Sequence, residues 1–168
     1  VIDRSGSMND NSRMRKAKEA AHEFIDKLLP SNNTRISIVS FASEVTTDQG
    51  LTNDKTSLKK AVDKIYADGG TFTQSGIKQA EAILANSNAD NKHIVFLSDG
   101  EPTFSYLIGN GYNADDYFSN EINPDINIPK EAFTDERIGN GNGLIWKKWK
   151  PFKYYLYHNH GNNAIAES

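Results

Sequence analysis

The chain of 168 residues contains no cysteine. That excludes disulfide scaffolding and thiol chemistry, and it fits either a cytosolic protein or a cysteine-free bacterial surface protein. It has no run of about 20 apolar residues, so no transmembrane helix is expected. No signal peptide is visible. It has no strong excess of charge: the formal net charge is −3 and the pI about 5.8. Neither value suits a nucleic-acid groove or attachment to an anionic membrane. There is no internal repeat, no low-complexity linker and no G-x-x-x-x-G-K-[ST] phosphate loop. No Ser-His-Asp order is evident, so the common nucleophilic and phosphoryl-transfer chemistries lack their parts.

What is present is a set of oxygen-bearing residues at element boundaries. Asp3-Arg4-Ser5-Gly6-Ser7 carries a carboxylate and two hydroxyls at alternate positions, after the apolar Val1-Ile2. Spaced i, i+2, i+4 in an extended turn, all three can point at one spot. A hard, oxygen-only, low-charge set of this kind suits Mg²⁺. Ala67-Asp68-Gly69-Gly70-Thr71-Phe72-Thr73 brings a sharp glycine turn and a hydroxyl just before a helical pattern. Ile94-Val95-Phe96-Leu97-Ser98-Asp99-Gly100 reads as a buried parallel strand ending in a carboxylate. Taken singly, each piece is equally a turn or a helix cap. Together they lie at strand ends on one edge, where open α/β sheets bind ligands.

These three pieces, in this order, resemble the von Willebrand factor A domain and its metal-ion-dependent adhesion site. The matching residues are Asp3, Ser5, Ser7, Thr71 and Asp99, and the resemblance covers about residues 1–103. It implies a Rossmann-like, doubly wound, mostly parallel sheet with helices on both faces. It implies a bound Mg²⁺, with Mn²⁺ or Ca²⁺ as alternatives, and a vacant metal position for a partner's Asp or Glu carboxylate. No base is expected beside Ser5 or Ser7, so the site is read as binding rather than catalytic.

The periodicity predicts helices over 12–29, 54–66 and 74–86 and strands over 35–42 and 93–98, with 43–47 as an edge partner. The chain looks truncated at both ends. It opens inside a strand and stops at what reads as a helix start, Asn162–Ser168. The expected organisation is a core over 1–103, an inserted arm over 104–157 and a return to the core over 158–168. Plain α/β loops run about 2–6 residues, so a stretch as long as 104–157 reads as a functional insertion. Its layout resembles pilus-tip and surface adhesins of Gram-positive bacteria. Within it, Trp146, Lys147, Lys148 and Trp149 open a basic, aromatic patch. That patch is either a ligand-binding surface or the small core of the insertion itself. Asp115-Asp116 and His158-Asn159-His160 read as solvated turns rather than metal sites.

The resemblance therefore implies an extracellular adhesion module on a bacterial cell wall or pilus tip. Its partner would be a host matrix or cell-surface protein with an exposed acidic residue, and other pilin or surface-protein domains would share its chain. No nucleic acid and no membrane insertion are expected. The alternative is an intracellular A domain docking a chelatase- or ATPase-type subunit.

Overall fold

The computed structural model describes residues 1–30, 33–100, 102–109, 111 and 129–139. The chain divides into two compact units, Val1–Gly100 and Glu101–Ser168.

The first unit is built on a short sheet. Strand β1 (Ile2–Asp3) pairs in parallel with β2 (Ile36–Phe41), and β2 pairs antiparallel with β3 (Val45–Thr52). On the other side of β1 runs the extended segment at residues 95–97. Asp3 N donates to Leu97 O at 2.8 Å and Leu97 N to Val1 O at 2.9 Å, and Ile2 and Leu97 form a parallel bridge. Asp3 and Asp99 thereby end neighbouring parallel segments, which brings two carboxylates to one edge of the sheet.

Helices cover both faces, as expected for this fold class. Strand alternation decides which side chains meet which helix. Ile2 and Ile38 face helix α1 (Arg13–Leu28) and helix α2 (Lys55–Lys64), forming one core with Ala21, Ile25, Leu58, Ala61, Val62 and Ile65. Phe41, one side chain out of phase with Ile38, faces helix α3 (Thr73–Ala85) and stacks on Phe96 with ring centroids 5.1 Å apart. Ile25, Leu58 and Val62 are wholly buried, and each such side chain contributes roughly 1.5–3 kcal/mol by leaving water.

Each helix has a local reason to start where it does or to lie where it does. The Asp54 carboxylate caps α2, accepting from Thr56 N at 2.9 Å and Ser57 N at 3.3 Å, while Ser57 Oγ donates to its other oxygen. In α1 the buried stripe is Ala17, Ala21 and Ile25, at strict i+4 spacing. Phe24 and Leu28, expected on that face, lie at its exposed margin. In α3, Gly76 sits against the Phe41 ring, and a Cβ there would come within 2.8 Å of it.

Three expectations need correcting. The partner of β2 is the eight-residue strand Val45–Thr52, not a stub over 43–47. Its polar composition, Val-Thr-Thr-Asp-Gln-Gly-Leu-Thr, hides a strand because none of its residues is fully buried and its order comes from pairing with β2. Residues 93–98 form a single bridge at Leu97 rather than a regular strand. Nor is that stretch buried throughout, since Ile94 and Val95 are exposed; among the described residues, this segment pairs only with β1.

In the second unit, β4 (Phe104–Ile108) and β5 (Phe133–Gly139) form an antiparallel pair. The Arg137 guanidinium lies 4.7 Å from the centre of the Phe104 ring on the facing strand, a favourable cation–π contact. Among the described residues no helix is long and apolar enough to cross a membrane.

Gly76→Ala should lower stability by about 1–3 kcal/mol, the usual penalty for overpacking a filled core, measured as a shift in the denaturant midpoint. A second expectation concerns pH. Lys55 and Lys59 hold the Asp26 carboxylate down to a pKa of about 2 by hydrogen bonds of 2.5 and 2.7 Å. The folded value lies below the ordinary value of about 4, so this pair stabilises the fold above pH ~4 and that support fades between pH ~4 and ~2. Asp26→Asn should therefore lower Tm slightly at pH 7 and by much less at pH 2, where the carboxyl is already about half protonated. An equal loss at both values would show that the charge is not responsible.

Candidate metal centre

Asp3 stands at the end of β1 with no exposed surface. A buried carboxylate is costly unless its oxygens are paired, and both are. Ser5 N donates to Asp3 Oδ1 at 2.8 Å and Ser98 Oγ to Asp3 Oδ2 at 2.6 Å. The turn that carries Ser5 is thus folded back onto the carboxylate that precedes it. Ser5 is extended (φ −60°, ψ 162°), and a 3-10 turn over Gly6–Ser12 follows.

From there a chain of oxygens runs across the site. Ser5 Oγ and Ser7 Oγ are 3.1 Å apart. Ser7 Oγ donates to Asp99 Oδ1 at 3.0 Å. Arg13 Nη1 donates to Asp99 Oδ2 at 2.8 Å and to the Ser7 carbonyl at 3.2 Å. The Asp99 side chain is 8% exposed and that of Arg13 39%, so this is a half-sheltered ion pair rather than a solvated surface contact.

Thr71 is buried and reaches the same edge through its loop. Gly6 N donates to Gly69 O and Asp68 N to Arg4 O, both at 2.8 Å. Gly70 N donates to Ser43 Oγ at 2.9 Å, and Phe72 N to Ala42 O at 2.8 Å. Gly69 has φ +76°, and a Cβ on it would lie 2.8 Å from Ser43 Oγ. Only glycine meets both conditions without strain.

Four of the five residues singled out from sequence, Asp3, Ser5, Ser7 and Asp99, are therefore joined in one hydrogen-bonded chain. The loop bearing the fifth, Thr71, is bonded to the same backbone. Trp146, Lys147, Lys148 and Trp149 lie outside the described residues, as do Asp115, Asp116, His158 and His160. Two participants were missed. Ser98 was absorbed into an apolar run, although its place beside Asp99 was a signal. Arg13 belongs to no motif in the sequence. Its signal was a cation opening a helix, where the helix dipole favours an acid.

The donors are carboxylate and hydroxyl oxygens with no nitrogen or sulfur among them. Among the described residues no three His, Cys, Asp or Glu side chains cluster, which speaks against a zinc-type set. Two carboxylates plus hydroxyls fit a hard cation such as Mg²⁺.

Residues 1–101 match the model of the von Willebrand factor type A domain, and the chain belongs to that family. Among its relatives is the minor fimbrium subunit Mfa5 of Porphyromonas gingivalis, 35% identical over 121 residues, or 68% of this chain. The present chain spans only 10% of that subunit's length. The crystal structure of the von Willebrand factor domain of Mfa5, a type V pilus tip protein, superposes with a TM-score of 0.79 at 26% identity, over 99% of this chain and 74% of that one. The adhesive tip pilin GBS104 of Streptococcus agalactiae shares the fold, with a TM-score of 0.65 at 24% identity over 86% of this chain and 59% of its own. Porphyromonas gingivalis is Gram-negative, so the similarity is not confined to Gram-positive adhesins.

Gly69→Ala should destabilise the unit by roughly 1–3 kcal/mol, the range for a residue forced into a sparsely populated backbone region. Thermal melts test this. An unchanged Tm would mean that the 67–71 loop is not fixed by its glycine.

Proposed function

We propose that this chain is the adhesion module of a bacterial surface or pilus protein. It engages a protein partner through a divalent cation held by Asp3, Ser5, Ser7, Thr71 and Asp99. The observation that carries the reading is the hydrogen-bonded chain from Asp3, through the Ser5 backbone N–H and the Ser5 and Ser7 hydroxyls, to Asp99 at one end of the sheet. Mg²⁺ suits these donors best, with Mn²⁺ or Ca²⁺ as alternatives. When bound, the cation supplies an electrophilic position for an outside Asp or Glu carboxylate. The partner is accordingly a host matrix or cell-surface protein with an exposed acidic residue.

The chain's own residues supply rigidity. Asp3 is fixed from two sides, and Ser5 and Ser7 are oriented by each other and by the carboxylates, so little ordering remains to be done when a ligand arrives. Nothing in the donor set favours catalysis. Among the described residues, neither serine has a histidine hydrogen-bond partner to activate it. The relatives from pilus tips support a location outside the cell and neighbouring pilin domains in the same protein. They favour this reading over docking to an intracellular ATPase-type subunit.

Calorimetric titration with Mg²⁺ should show saturable binding that is lost in Asp99→Ala, with the mutant still folded by circular dichroism. Capture of acidic matrix proteins should then be abolished by EDTA in the wild type. Saturable binding retained in Asp99→Ala would remove that residue from the site, and EDTA-insensitive capture would remove the cation from recognition.

A further inference from the structure

The metal reading leaves one charged group at the site without a role. Arg13 is the first residue of α1, and its Nη1 bonds both the Asp99 carboxylate and the Ser7 carbonyl. Asp99 Oδ1 accepts from the Ser7 hydroxyl. Arg13 thus holds one Asp99 oxygen and the Ser7 carbonyl, while the Ser7 hydroxyl holds the other Asp99 oxygen. An arginine does not lose its proton in a protein, so this positive charge is permanent.

The start of α1 is arranged against local preference. A cation at a helix N-terminus opposes the helix dipole, and α1 has no acid in its first turn. Asn11 and Ser12, which lead into it, take left-handed backbone angles of φ 50° and 60°, and the Ser12 side chain makes no cap hydrogen bond. Local rules broken at one point mark a place where another demand dominates. Here the demand that meets the eye is Asp99.

We propose that Arg13 is the resident counter-cation of the metal centre, a positioning residue that sets how tightly the centre holds its metal. The inference rests on the metal reading above and adds a role for a residue outside the ligand set. Without metal, Arg13 neutralises Asp99 and pins one of its oxygens. That leaves the other oxygen, shared with Ser7, facing the donor chain. The charge count follows directly. Asp3 and Asp99 contribute −2 and Arg13 +1, so the linked groups carry −1. A divalent ion brings them to +1 rather than to zero. Arg13 therefore weakens metal binding and leaves the loaded site attractive to an outside carboxylate.

The test is Mg²⁺ calorimetry on the wild type and R13Q, with thermal melts of both in EDTA. Even with the screening of bulk water, a permanent positive charge bonded to one of its ligands would change a divalent ion's affinity by about tenfold. R13Q should therefore bind Mg²⁺ about tenfold more tightly or better, and melt lower than the wild type in EDTA. Binding by R13Q alone would support the inference more strongly, with the wild-type arginine holding the site against the metal. Equal affinity in the two proteins, within twofold, would overturn the inference and leave the metal reading standing. Absence of binding in both would overturn the two together. If R13Q does not fold, the Arg13 Nε resonance of the wild type decides. A shift at Mg²⁺ saturation supports the role, and an unmoved resonance overturns it.

Discussion

Asp3 is a carboxylate with no exposed surface at the end of a two-residue strand, and the geometry of the site follows from satisfying it. An unpaired charge in that position would cost several kcal/mol. One oxygen takes the backbone N–H two residues ahead; the other takes a hydroxyl from the next segment across the sheet, at Ser98. The first bond folds the Ser5–Ser7 turn inward. The second joins two segments 95 residues apart in the chain and holds Asp99 beside them. Local turn chemistry and long-range sheet pairing thus share one group.

The order of construction explains why glycines matter where they do. The loop before Thr71 approaches closely enough for Gly69 O to accept from Gly6 N, with Gly69 in a backbone region closed to most residues. On the far side of that loop, Gly76 lets α3 settle on the Phe41 ring. One glycine shapes the loop and the other seats the helix that follows it, so the Thr71 segment is located from both ends. Packing beneath the sheet and chemistry at its edge are consequences of the same few close approaches.

Much of this was legible in the amino-acid order. The three helices fall within two residues of their expected limits because their apolar positions recur at helical spacing. Asp3, Ser5, Ser7, Thr71 and Asp99 stood out only through their coincidence at strand and helix boundaries, and the structure joins four of them by hydrogen bonds. Less was legible where tertiary context decides. The long polar strand β3 carries no alternating apolar signal and exists through pairing with β2. The apolar run at 94–97 reads as a buried strand, yet two of its side chains are exposed. Ser98 and Arg13 carried only faint local signals, for another reason. Their partners, Asp3 and Asp99, lie 95 and 86 residues away, and no local pattern encodes such a meeting.

The register of β2 against β3 slips twice, between Ile36 and Ile38 and again between Ile38 and Val39. Among the described residues β3 is the outermost strand on its side, rich in threonine and carrying Asp48 and Gln49. Irregular, polar edges make poor templates for another chain's backbone. Many copies crowded side by side would therefore tend to remain separate molecules on that flank, meeting through side chains rather than by extending one another's sheets.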